Sequence, residues 1–162
     1  MTITNIVENL QDLYELHNQL LELGIQKTEV IKKGQSDQLQ EMMKHEQALL
    51  ATIQKKENER QQLVQAFFHQ HGVFDKEQTI SNCLSFCREE ERTRLSEKQQ
   101  KLLQVIERLK ERNELNQQLL YQSLQYVNIS LHLLRPQPEQ TTYSHPMKRN
   151  NNHSTSMFDS KA

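Results

Sequence analysis

A chain of 162 residues is long enough for one domain, such as a helical hairpin with a third helix along it, but not for two sizeable cores. With 3 glycines, 3 prolines, no tryptophan, 35% hydrophobic residues and a mean hydropathy of -0.86, the composition fits long helices with narrow apolar seams and argues against the large packed core of an enzyme. A total of 20 basic against 21 acidic residues leaves a formal charge of -1, so no global field draws the chain to nucleic acid or to an anionic membrane.

The opening MTITNIVENL carries no basic region and no unbroken apolar core, and no segment reaches the ~18 apolar residues of a spanning helix, so a cytosolic chain with no membrane insertion is expected. A first helix is predicted from Thr2 or Thr4 to Lys33. There Ile3, Val7, Leu10, Tyr14, His17, Leu21, Gly24, Thr28 and Ile31 follow the alternating four-three spacing of a heptad seam. The seam weakens at Gly24 and Thr28, where large side chains are missing; Gly24 reads as a point of close packing, and His17 as a partly buried, hydrogen-bonded histidine. Lys32 and Lys33 place cations at the negative helix end, and Gly34 suits a left-handed cap. Asp37 with Gln40 resembles a capping box, so a second helix begins at once. Its face runs through Leu39, Met42, Met43, Leu49, Leu50, Ile53, Arg60, Leu63, Val64 and Phe67 to His71, with Gly72 as its cap. So short a link makes the two helices antiparallel neighbours.

Asp75 is expected to cap a shorter third helix reaching Cys87, with Ile80, Leu84 and Cys87 on one face and Cys83 beside them. The run Arg88 to Arg94 holds no breaker, so this helix either continues into the last one or bends there. From Leu95 the apolar pattern resumes through Leu102, Ile106, Leu109, Asn113, Asn116, Leu120 and Val127 to Leu134, about forty residues or roughly 60 Å. Arg135-Pro136-Gln137-Pro138 stops it. Within this helix the stretch from Leu115 to Leu134 is too apolar for one neighbour, and the rest of the chain is expected to be organised around it. Leu120, Ser123 or Leu124, Val127, Leu131 and Leu134 make one stripe, while Leu119, Tyr121, Tyr126, Ile129 and Leu133 lie outside it. The surplus asks for a second contact, inside the fold or on another protein. Asn113 and Asn116 interrupt the seam; a polar residue there fixes register, or marks the edge of a binding surface. The fold is therefore read as all-α, an antiparallel bundle of three long coiled-coil-like helices and one short one over residues 1–135. Residues 136–162 hold all three prolines and few aliphatic side chains and are expected to be a flexible tail.

Catalytic and metal chemistry find little purchase. His69, His71, Cys83 and Cys87 are ligand types that suit zinc, but their spacing matches no standard knuckle, and two small apolar side chains four apart on a helix read as core; two cysteines also fit a reducing compartment. No pair of Glu-x-x-His motifs for a di-iron bundle is present, and Gly24, Gly34 and Gly72 are too isolated to build a phosphate-binding loop. Arg88 to Arg112 holds eight basic and six acidic residues, a solvated face rather than a nucleic-acid stripe. No enzyme, cofactor or metal is expected. On the second helix, Glu46 and the pair Glu57 and Arg60 either meet the two asparagine amides, or each other across the hairpin, or face solvent.

Nearly the whole chain resembles the FlgN-type flagellar export chaperones. The likeness lies in the length, in the turn KKGQSDQL, in HEQALLATIQKKENERQQL with Glu46, Glu57 and Arg60, in NELNQQLLYQSLQYVNISLHLL, and in a proline-marked tail with Tyr143 and a terminal FDSKA. Where the family tail often carries a glycine shortly after its tyrosine, His145 and Pro146 follow Ser144 here. The resemblance implies a cytoplasmic chaperone of flagellar type III export that holds the hook-filament junction proteins FlgK and FlgL as unassembled subunits and presents them to the export gate. The expected client surface comprises Asn113, Asn116, Leu119, Leu120, Ser123, Leu124, Val127, Leu131 and Leu134, its leucines and valine shared between bundle and partner, with Ile129 and Leu133 facing outward. Tyr143 and Phe158 are the expected docking points for the export gate. Two other classes stay open at this stage: a structural coiled coil that dimerises through the last helix, and a metal-binding bundle using the His and Cys cluster.

Overall fold

A computed structural model describes residues 2–135 of the chain. The expected flexible tail, with Tyr143 and Phe158, lies outside the described residues. Among those described, four α-helices and one short 3-10 turn follow in order: α1 (Thr2–Lys33), α2 (Ser36–Gln70), α3 (Ile80–Cys83), the turn Leu84–Phe86, and α4 (Glu89–Leu134). The all-helical bundle expected from the sequence is what forms.

The centre of the bundle is α1, not the last helix. Both long partners pack on α1 rather than on each other. The predicted seam supplies one of its two faces. Leu21 and Ile25 border Arg108, Arg112 and Leu115, and Thr28 meets Asn116, so this face belongs to α4. A second stripe, which the heptad reading passed over, contains Ile6, Leu13 and Leu20, seven apart, with Asn9 and Leu23 beside them, and all five are buried. It faces α2: the Asn9 amide donates to the Lys56 carbonyl (3.1 Å), Lys27 pairs with Glu46 (2.9 Å), and Leu23 lies near Leu49. The pairings Asn9 with Lys56 and Lys27 with Glu46 run antiparallel. Those between Gln11 and Lys98 (2.6 Å) and between Thr28 and Asn116 (2.6 Å) run parallel, so α4 climbs beside α1 in the same direction.

Both long-helix ends expected at glycines form there. Gly34 has φ 68° and Gly72 φ 66°, conformations that L side chains rarely adopt. In each case the glycine N–H reaches back to one carbonyl and the next N–H to the carbonyl before it: Gly34 to Ile31 and Gln35 to Val30, then Gly72 to His69 and Val73 to Phe68. The expected capping box at the start of α2 does not form. Gln35 is the N-cap and its side chain makes no cap bond, while Asp37 sits one position inside the helix, favourable to its dipole but too late to cap it.

The third helix is shorter than predicted and Asp75 does not cap it. Thr79 does, its hydroxyl accepting from the Asn82 N–H (3.2 Å), and the Asn82 amide donates to the Glu77 carbonyl (2.8 Å), so local side-chain bonds hold the preceding residues out of the helix. Cys87 (ψ 150°) and Arg88 (ψ 160°) are extended, which decides the question left open by the charged run: the chain breaks there and α4 begins anew at Glu89. The Glu91 carboxylate accepts from the Arg88 N–H (3.2 Å), one half of a capping box; an arginine side chain has no acceptor to supply the other half.

The core is densest where these breaks gather. Ile6, Phe68, Cys83 and Leu95 are fully buried together, with Phe67 and Phe86 edge-on to Phe68. Toward the turn between α1 and α2 the packing thins: Leu49 is the first buried residue of α2, and Met43 and Leu50 are exposed.

Candidate functional site: the free end of the last helix

Two lengths set the site. α1 has 32 residues and α4 has 46, and because they run parallel from the same end, α1 stops beside Leu120 while α4 continues past it, alone among the described residues. The projecting part, Tyr121 to Leu134, measures roughly 20 Å. Every large apolar side chain on it is exposed: Tyr121, Leu124 (63%), Tyr126, Val127, Ile129, Leu131, Leu133 (80%) and Leu134. The stripe through Leu124, Val127, Leu131 and Leu134 was expected to be divided between bundle and partner; among the described residues no helix of the bundle covers it, and all four side chains are exposed, as Ile129 and Leu133 are. From Leu115 to Leu134 there is no Asp, Glu, Lys or Arg. Contiguous apolar surface of this extent on a helix without a neighbour is what an interaction site presents.

Below the projection, one buried polar cluster holds α4 in place. Asn116 is 3% exposed; its amide nitrogen donates to the Gly24 carbonyl (2.9 Å), and its oxygen accepts from the Thr28 hydroxyl (2.6 Å), which in turn lies 3.4 Å from the Arg112 guanidinium. Gly24 makes this approach close, since a Cβ there would meet Arg112 Cγ at 3.2 Å. Asn116 is thus spent inside the bundle and offers nothing to a partner, while Asn113 is exposed. Leu119 and Leu120 are half-buried at the point where α4 leaves α1. Next to them a cavity of about 160 Å³ opens, lined by Val30, Ile31, Gly34, Leu39, Leu120 and Ser123.

A sequence profile describing the FlgN protein matches residues 1–151. The chain belongs to the FlgN family. It is a flagellar export chaperone, and its helical bundle with one overlong helix is the body of that chaperone. It is also similar, over 164 aligned residues with 34% identity that span 100% of both chains, to the "Uncharacterized protein YvyG" of Bacillus subtilis (strain 168). No solved structure matches it.

The remaining candidate groups of this FlgN-family chain are engaged elsewhere. Cys83 and Cys87 are buried; the Cys87 thiol donates to the Cys83 carbonyl (3.1 Å), and burial pushes the Cys83 thiol up to about 11. His71 lies against Phe67 and Phe86 with Nδ1 2.8 Å from the Phe67 carbonyl, and His69 lies edge-on to Phe74. Among the described residues no three such side chains converge. His17 is partly buried with Nδ1 2.7 Å from the Leu13 carbonyl. Glu46 pairs with Lys27 on α1, and Glu57 takes both arms of Arg60 within α2 (2.6 and 2.8 Å), which lowers the Glu57 carboxyl below the usual range, so neither meets the asparagine amides. Among the described residues no helix is long and apolar enough to cross a membrane.

Proposed function

We propose that this chaperone acts in the cytoplasm on the hook-filament junction proteins FlgK and FlgL, holding each as an unassembled subunit and carrying it to the export gate of the flagellar type III apparatus. The observation that carries this reading is the free end of α4: without Asp, Glu, Lys or Arg, apolar on most of its circumference, and without a neighbour among the described residues beyond Ser123. A subunit kept from polymerising has apolar helical faces of its own to cover, and an amphipathic helix laid on α4 covers both partners at once. Such an interface is modest, as one that must release its client needs to be. The tail, through Tyr143 or Phe158, is proposed as the segment that docks on the gate.

Binding of the host's FlgK and FlgL to single variants tests the reading. Each buried Leu or Ile contributes about 1.5–3 kcal/mol, so Ile129→Glu or Leu133→Glu weakens client binding at least ~10-fold. Neither residue touches the bundle, so the melting temperature stays as in the parent, and Gln104→Glu on the exposed flank of α4 changes neither quantity. Loss of the client only in variants that also unfold would move the binding site away from α4. A concentration-dependent dimer of the purified chain that Leu133→Glu dissolves would favour the structural coiled coil instead.

A further inference from the structure

The cavity at the turn between α1 and α2 opens where α4 leaves α1. It lies against the last turn of α1, between Val30 and Ile31, the left-handed cap at Gly34, Leu39 on α2, and Leu120 and Ser123 on α4. The stripe of α4 that α1 covers, through Leu102, Val105, Leu109 and Asn116, passes through half-buried Leu120 into Val127 and Leu134, which are exposed among the described residues. The interface between α1 and α4 therefore continues past the point where α1 ends, and the missing half has the dimensions of a helix of about four turns, roughly 20 Å.

Resting on the client reading above, we propose that the client enters as one amphipathic helix that extends the line of α1 along α4. Its end nearest the turn inserts one bulky apolar side chain into the cavity between Gly34, Leu39 and Ser123. An apolar cavity of ~150 Å³ accommodates a group the size of a benzene ring, so a leucine or phenylalanine side chain fits. The occupant is defined chemically: apolar positions three and four apart facing α4, no ionised side chain on that face because none would find a partner between Leu115 and Leu134, and a large apolar residue at the end that meets the turn. The cavity sets where the client starts on α4, and the glycine cap keeps the end of α1 from filling that space.

Two variants of the full chain, with the host's FlgK as the probe, test this. Ser123→Phe places a ring at the cavity mouth and should weaken FlgK binding at least tenfold while the melting temperature holds or rises. An environment-sensitive dye on Ser36→Cys, at the cavity lip on α2, should shift to the blue when FlgK binds; Cys83 and Cys87 are buried and do not compete for the label. If Ser123→Phe binds as the parent does and the dye stays silent while Ile129→Glu loses the client, the client lies on α4 but not in line with α1, and the proposal is wrong while the client reading stands. If Ile129→Glu also binds normally, the client reading fails and takes this proposal with it. Should Ser123→Phe fail to fold, the dye alone decides: a shift on binding supports the anchor, and silence with retained binding overturns it.

Discussion

Asn116 stands where a leucine would bury more apolar surface, and the reason is on α1. Its amide answers the Gly24 carbonyl and the Thr28 hydroxyl, both buried, so that removing it takes a cross-helix hydrogen bond from each and leaves them only each other (3.1 Å) and the Arg112 guanidinium (3.4 Å). Asn116→Ala should lower unfolding free energy by about 1–3 kcal/mol in chemical denaturation, whereas Asn113→Ala, at an exposed position, should stay within about 0.5 kcal/mol of the parent. The sequence made half of this legible. A polar residue in a heptad seam suggests a register device, and Gly24 reads as a point of close packing, but Thr28 reads as a weak point in another seam, and nothing local says that residues so far apart in the chain face each other. Cys83 offers a second check. Its thiol ionises near 9.0 when exposed and at about 11 in the fold, so above pH 9 the unfolded chain releases a proton that the folded chain keeps. Stability present below pH 9 is therefore lost as pH rises from 9 to 11, and Cys83→Ala should show less of that loss when the two are compared across the range.

At the scale of the element, α4 joins two helices of different character. Up to about Leu120 it is held by α1. Beyond that it has no helix packed on it among the described residues, and an isolated helical stretch of about 14 residues with Val127, Asn128 and Ile129 among them is marginal in water. The free end should therefore exchange its amides quickly while the client is absent and slowly when it is bound. Because the surface is uncharged, FlgK affinity should change by less than about twofold between ~0.05 and ~0.5 M salt; a steep fall would mean that charges elsewhere on the chain carry the contact. The helices themselves were readable from apolar spacing and from the two glycine caps. Where α1 ends relative to α4 was not, since that depends on their parallel register, and so a stripe expected to divide between core and partner proved free over its whole outer half. The third helix was misread for a different reason: Asp75 has the right chemistry for a cap, but Thr79 and Asn82 make competing local bonds that start the helix four residues later.

For the molecule as a whole, the organising element is α1, whose two apolar stripes serve α2 and α4 separately. The second stripe was present in the sequence as Ile6, Leu13 and Leu20, and a count of both faces rather than of one seam would have found it. Since most of the fully buried residues cluster around Phe68, Cys83 and Leu95, stability should decrease from that end toward the α1–α2 turn. Leu13→Ala, on the stripe that faces α2, should cost about 2–5 kcal/mol and loosen α2 more than α4. On the proposed reading, the chaperone keeps a firm base and offers its client the least constrained end. Residue-resolved amide exchange of the full chain, free and saturated with FlgK, tests that arrangement most directly. Protection should appear on binding from Tyr121 to Leu134, with the base around Phe68 and Leu95 unchanged. Protection confined to α2 or to the base, with α4 exchanging as fast as before, would contradict it.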